Sequence, residues 1–176
     1  KKEHKTGTDR IYEAIKKMGI SDIELVMNLQ GDEPLMSPED IKNLHIQMIK
    51  TNSKLGTLAS KISNKDFYNK QNIVKVITNE KFENSNFPYA VKFVRKIGNL
   101  DKNIYHHLGI YCYQLKTLEK FISLNQTANE IKYKLEQLRA LDNQIKINVA
   151  LAESSPIGVD TEEDFVAIKK IMEYKS

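Results

Sequence analysis

Cysteine and arginine are nearly missing from this chain, and long apolar runs are missing altogether. The single Cys112 lies inside an apolar, aromatic stretch, and no signal-peptide pattern opens the sequence. The two together predict a reducing cytoplasm and a buried thiol. A catalytic thiol would need a basic partner such as His106 or His107 to form its thiolate. No apolar stretch approaches the roughly 18 residues of a membrane span, so no membrane partner is expected. Arginine is confined to Arg10, Arg95 and Arg139, and the lysines are scattered without a basic block or interleaved aromatics. Nucleic acid is therefore not the expected partner. An initiator Met is absent too, and polar residues run straight into a helix with no strand before it. A doubly wound sheet normally begins with a strand and a phosphate-binding turn. The expectation is a chain truncated at its amino end.

What is present suits one soluble globular domain, 1–176, with an ample core: 40% apolar and 28% charged residues, and a net charge of +4. That mild positive field suits a small anionic substrate.

Helical and strand periods alternate along the chain. Thr8 or Asp9 is expected to cap a first helix through Ile11, Ala14, Ile15 and Met18, with Gly19 ending it. Ile23–Leu29 reads as a buried strand. Ser37-Pro38-Glu39-Asp40 opens a helix running to about Thr51. Strands are predicted at Leu55–Ile62, Ile73–Ile77, Tyr89–Val94, Ile104–Tyr113 and Ile145–Leu151. Helices are predicted near Lys116–Ser123 and at Glu130–Asp142, the latter with Ile131, Leu135, Leu138 and Leu141 inward. A last helix follows Thr161, with Phe165, Ile168 and Met172 on its inner face. The alternation favours an α/β layered sheet, and the crowding of strands in Leu55–Tyr113 suggests an antiparallel excursion.

Candidate chemistry gathers at the ends of strands. Gln30-Gly31-Asp32-Glu33-Pro34 puts the Asp32 carboxylate just past a strand, at the rim where open α/β sheets bind ligands. It suits Mg²⁺ carrying phosphates, or it is a turn acid before the next helix; the pentapeptide leaves both open. Asp160 precedes the last helix, where Thr161 already supplies a cap, so the two carboxylates could share a Mg²⁺–phosphate site. On the strand Ile104–Tyr113, His107, Gly109 and Tyr111 share one face, with His106 and Leu108 on the other. His107 can contact an acidic sugar or simply be hydrogen-bonded within the sheet. Glu136 and Gln137 flank the core stripe of their helix, a solvated face by default. Thr6-Gly7-Thr8-Asp9-Arg10 offers backbone N–H groups at a helix start to a nucleotide.

Six segments occur in one order: His4–Arg10, Asn28–Pro34, Asn72–Val76, His107–Tyr111, Leu135–Arg139 and Gly158–Asp164. In that order and spacing the chain closely resembles the 3-deoxy-manno-octulosonate cytidylyltransferases, the CMP-Kdo synthetases, from Lys1 to near its carboxyl end. The resemblance implies a Rossmann-like, GT-A-like nucleotidyltransferase sheet with its first βα unit missing. It implies an enzyme in which the anomeric hydroxyl of Kdo attacks the α-phosphorus of CTP, giving CMP-Kdo and pyrophosphate for lipopolysaccharide biosynthesis. It also implies Mg²⁺, a cytoplasmic homodimer, Asp32 and Asp160 as catalytic metal ligands, and a sugar site of Gln30, His107, Tyr111, Glu136 and Gln137. Thr6 and Gly7 fall to the cytidine site.

Departures from the family pattern carry expectations of their own. The family's opening strand and its Arg- and Lys-bearing, proline-rich phosphate loop are absent, roughly 30 residues or more. Residues 1–176 alone are therefore expected to turn over CTP negligibly. Phe93-Val94-Arg95 stands for the family's Phe-Ser-Arg with no Ile-Pro after it, and Thr6 replaces the usual Ser. Val94 and the missing Ile-Pro favour an alternative acidic sugar, an amino-substituted Kdo or a nonulosonate. The missing loop favours a non-catalytic remnant that binds nucleotide or dimerises.

Overall fold

The computed structural model describes residues 4, 6–20, 22–29, 31, 34–62, 65–98, 101–154 and 162–173. Thr6, not Thr8 or Asp9, caps the first helix, α1 (Gly7–Met18). The reason is spacing: Thr6 and Asp9 exchange bonds between side chain and backbone as a capping box, which frees Thr8 to be buried. Gly19 closes the helix in the left-handed region at φ 60°, where a Cβ would be strained. Strand β1 (Leu25–Asn28) follows, then α2 (Pro38–Thr51), capped by the Ser37 hydroxyl accepting from the Glu39 amide.

The remaining elements come in the expected order. They are β2 (Leu55–Ser60), a 3₁₀ turn (Lys65–Tyr68), β3 (Lys75–Thr78), β4 (Ala90–Val94), β5 (Ile104–Gln114) and α3 (Leu115–Ser123). After these come α4 (Ala128–Tyr133), α5 (Leu138–Asp142), β6 (Asn148–Ala152) and α6 (Glu162–Glu173). Strand β5 is the spine of a six-stranded sheet. One edge of β5 pairs with β2, which pairs in parallel with β6. Its other edge is shared: β3 takes the first half and β1 the second. Strands β1, β2, β3 and β6 therefore run one way, and β5 and the edge strand β4 run the other. This is the layered α/β sheet with its antiparallel excursion. Helices α1, α3 and α5 pack on one face around Val76, Tyr113, Phe121, Ile147 and Val149. Helix α2 covers the other through Leu44 and Met48 against Leu58, Leu108 and Ile110. No helix among the described residues is long and apolar enough to cross a membrane.

Two helical expectations fail. Glu130–Asp142 is not one helix, because Lys134 turns into the left-handed region at φ 52°. Ile131 is consequently 62% exposed instead of core. Nine residues of continuous helix would put Glu130 and Arg139 on opposite sides, roughly 13 Å apart along the axis. The break folds Arg139 back onto Glu130, and both are buried. In α6, Ile168 is buried but Phe165 and Met172 are half exposed, so the helix is covered only near its middle.

Candidate active site

The site begins with an irregularity in β5. Thr57 pairs with Tyr111 while its neighbour Leu58 pairs with Leu108, so Gly109 and Ile110 have no partner on β2. A bulge that skips two residues keeps the alternation in phase. His107, Tyr111 and Tyr113 thus stay on one face, as their spacing predicts. Gly109 lies in this bulge. The buried Thr57 hydroxyl fills the gap, donating to the Ile110 carbonyl at 2.7 Å and lying 3.1 Å from His107 Nε2. The His107 ring is held edge-on by Phe93 at 5.0 Å and lies 5.5 Å from Tyr111.

Burial sets the charge state here. Desolvation, helped by neighbouring His106, pushes His107 down to about 3, so its imidazole is neutral at ordinary pH. His106, on the other face beside Phe67, is pushed down to about 4 by burial and by the Lys75 ammonium. Tyr111 and Tyr113 are pushed up by desolvation, with Glu136 adding to both. Cys112 points to the α2 side, where burial lifts its thiol to about 12; it is inert, as expected of a buried thiol.

Glu136 and Gln137 do not lie on a solvated helix face. They occupy the turn between α4 and α5, Gln137 is buried, and Glu136 has a buried Oε1 with no hydrogen-bond partner among the described residues. Burial raises the Glu136 pKa, opposed by the Thr6 and Thr8 hydroxyls and by Arg139. Thr6 and Glu136 line one recess of about 360 Å³ together with Glu130 and Leu135. The capping box uses the amides of Thr6 and Asp9. Those of Gly7 and Thr8 are left as helix-start donors that the helix itself cannot pair. Behind the turn, Arg139 makes two bonds to the Glu130 carboxylate and stacks on Phe121 at 4.6 Å. Thr6, His107, Tyr111, Glu136 and Gln137 are therefore grouped around the His107 face of β5 and the start of α1.

Gln30, Asp32 and Asp160 lie outside the described residues. The strands that lead to them do not. Strand β1 ends at Asn28 opposite Tyr111, and β6, parallel to β2, ends at Ala152. Asp40 in the first turn of α2 is buried and accepts from the amides of Glu153 at 2.9 Å and Ser154 at 3.3 Å. It ties α2 to the chain leaving β6. Its position in a helix-start sequence signalled only favourable dipole placement.

The comparisons with known proteins bear on the whole chain. The cytidylyltransferase family model matches residues 1–147. A 3-deoxy-manno-octulosonate cytidylyltransferase of Thermodesulfovibrio yellowstonii is 39% identical, with 97% of this chain and 71% of the relative covered. The chain belongs to the cytidylyltransferase family. The corresponding enzyme of Bartonella tribocorum is 36% identical over 97% of this chain and 70% of its own length. Among solved structures, CMP:2-keto-3-deoxy-manno-octonic acid synthetase complexed with CTP superposes with a TM-score of 0.83 at 29% identity. It covers 99% of this chain and 70% of that one. UDP-glucose pyrophosphorylase, at 12% identity and a TM-score of 0.69, shares the fold alone.

For a cytidylyltransferase, two features went unread in the sequence. Thr57 lies in a strand without a motif, fifty residues from His107. The Glu130–Arg139 pair spans nine residues, a spacing that no helical rule flags. Only a polar residue in the middle of a mostly apolar strand hinted at the first.

Proposed function

We propose that this cytidylyltransferase transfers CMP from CTP to 3-deoxy-manno-octulosonate and releases pyrophosphate, the activation step for lipopolysaccharide biosynthesis. One observation carries the sugar side. Neutral His107, protonated Tyr111 and the half-orphaned Glu136 converge where β1 ends, so acceptors and donors for a polyhydroxylated acid are grouped at one rim. In this reading His107, Tyr111, Glu136, Gln137 and Gln30 bind and orient the sugar. Thr6 and Gly7 meet the cytidine through the start of α1. Orientation contributes the most to such a displacement, because phosphoryl chemistry needs alignment more than covalent help.

A Mg²⁺ ion would be held by Asp32 and Asp160, whose hard oxygen donors suit it. Asp40, bonded from the first turn of α2 to the chain beyond β6, supports a shared site. Bound there, the ion would neutralise phosphate charge and align the displacement. Homodimerisation in a cytoplasmic setting completes the reading, with exposed Val91 on the edge strand β4 available to an interface.

The test is CTP-dependent pyrophosphate release with Kdo, an amino-substituted Kdo and a nonulosonate offered in parallel. Kdo is expected to be the preferred acceptor, and His107→Ala to raise the KM for Kdo more than that for CTP. Preference for another acid would move the substrate, and equal losses for both substrates would reduce His107 to a support of the sheet.

A further inference from the structure

We propose that Thr57 is a positioning residue for the sugar side of the reaction, fixing His107 in the tautomer that carries hydrogen on Nε2 and leaves Nδ1 to accept from a substrate hydroxyl. The Thr57 side chain is fully buried, and its hydroxyl oxygen lies 2.7 Å from the Ile110 carbonyl, 3.3 Å from that of Leu108 and 3.1 Å from His107 Nε2. Carbonyl oxygens only accept, so the single hydroxyl proton is committed to the bulge, chiefly to Ile110. The oxygen has only lone pairs left for His107. A bare Nε2 would set two acceptors face to face at 3.1 Å between two buried side chains. Nε2 must carry the hydrogen, and in a neutral ring Nδ1 is then the acceptor.

The bulge explains why a threonine is needed. Gly109 and Ile110 have no partner on β2, so the Ile110 carbonyl would otherwise lack its ladder bond. One hydroxyl satisfies that carbonyl and sets the histidine's polarity. The ring cannot evade the constraint by taking a second proton, because burial and His106 hold its pKa at about 3. Phe93 and Tyr111 hold the ring from its other sides, and among the described residues the His107 ring has no further hydrogen bond. An acceptor at Nδ1 selects for a donor on the ligand, which a sugar hydroxyl supplies and a carboxylate does not.

The inference rests on the assignment of His107 to the sugar side, and the experiment separates the two. Two-bond ¹H–¹⁵N correlation spectra of histidine-labelled full-length protein report the tautomer of His107 directly. The wild type is expected to show hydrogen on Nε2. Thr57→Val is expected to lose that state and to raise the KM for Kdo roughly tenfold, the scale of one lost hydrogen bond, while the KM for CTP stays within about twofold. Thr57→Ser should restore both. Hydrogen on Nδ1 in the wild type would overturn the proposal without any variant, even if Thr57→Val fails to fold. An unchanged tautomer in Thr57→Val would overturn it whatever the kinetics. A changed tautomer with both KM values unmoved would overturn the positioning role and the sugar-side reading of His107 together. No Kdo turnover by the wild type, with the tautomer behaving as expected, would sink the substrate and uphold the hold of Thr57 on the ring.

Discussion

The two faces of the sheet are built from the same strands and differ in kind. Under α2 the contacts are apolar: Leu44, Met48, Leu58, Phe87, Leu108, Ile110 and Ala150, with Cys112 as a neutral thiol. The opposite face buries Thr8, Thr57, His107, Gln137 and Arg139 among Tyr113, Phe121 and Val149. The first face is apolar where α2 covers it, while its other end holds His106 beside the buried Lys75. The second carries desolvated groups whose protonation states are set by their surroundings, and every one of them costs stability unless it is satisfied.

Acid should strain the His107 face most. An unfolded chain takes up a proton on His107 near pH 6.5, but the folded protein resists until about 3. Stability is therefore full above about pH 6.5 and falls as the pH drops toward 3, by several kcal/mol at about 1.4 kcal/mol per unit. His106, on the other face of the sheet and lowered to about 4, adds to the same limb. Urea midpoints against pH measure it, and His107→Gln should flatten the limb. A midpoint unchanged from pH 7 to 4.5 would break the comparison.

Next in size is Arg139→Ala, which leaves the Glu130 carboxylate buried beside Gln126 and the Thr127 amide without its cation. About 3–5 kcal/mol should be lost in chemical denaturation, and the α4–α5 turn carrying Glu136 should loosen, raising the KM for Kdo. A stability loss with no kinetic change would mean that the pair holds the fold and not the site.

Leu58→Ala on the α2 face should cost a similar or smaller amount, about 2–5 kcal/mol, from lost transfer energy and a residual cavity. Measured well below its melting temperature, the variant should keep the KM of both substrates. Changed KM values there would show that the faces are coupled.

Gly56→Ala is the smallest expected effect. A Cβ would meet Met48 sulfur at 2.7 Å, Leu44 Cδ1 at 3.0 Å and Phe87 Cζ at 3.1 Å. Overpacking of this kind costs about 1–3 kcal/mol. Because all three contacts are side-chain ends, calorimetry should find the lower end of that range if α2 can shift. A loss above it would mark the α2 face as the more rigid of the two.

Much of this was legible in the sequence where the governing interaction is short. Ser37-Pro38 opens α2 and Gly19 closes α1 because caps act within a few residues. The placement of His107 and Tyr111 on one face followed from a period of two, which survived the bulge only because it skips an even number of residues. Reading Glu130–Asp142 as one helix failed for the same reason in reverse. The helical period is local, while the break at Lys134 serves a buried pair that no local rule describes.

The order of elements, the caps, the strand faces and the family motif were thus determined by the sequence alone, since each rests on periodicity or on neighbours along the chain. Tertiary structure decided which polar groups are buried together. Thr57 reaches His107 across fifty residues, and Ser154 reaches Asp40 across 114. Desolvation belongs to a place in the fold and not to a residue, so the neutrality of His107 and the raised pKa of Glu136 came into being only when the sheet and its helices closed around them.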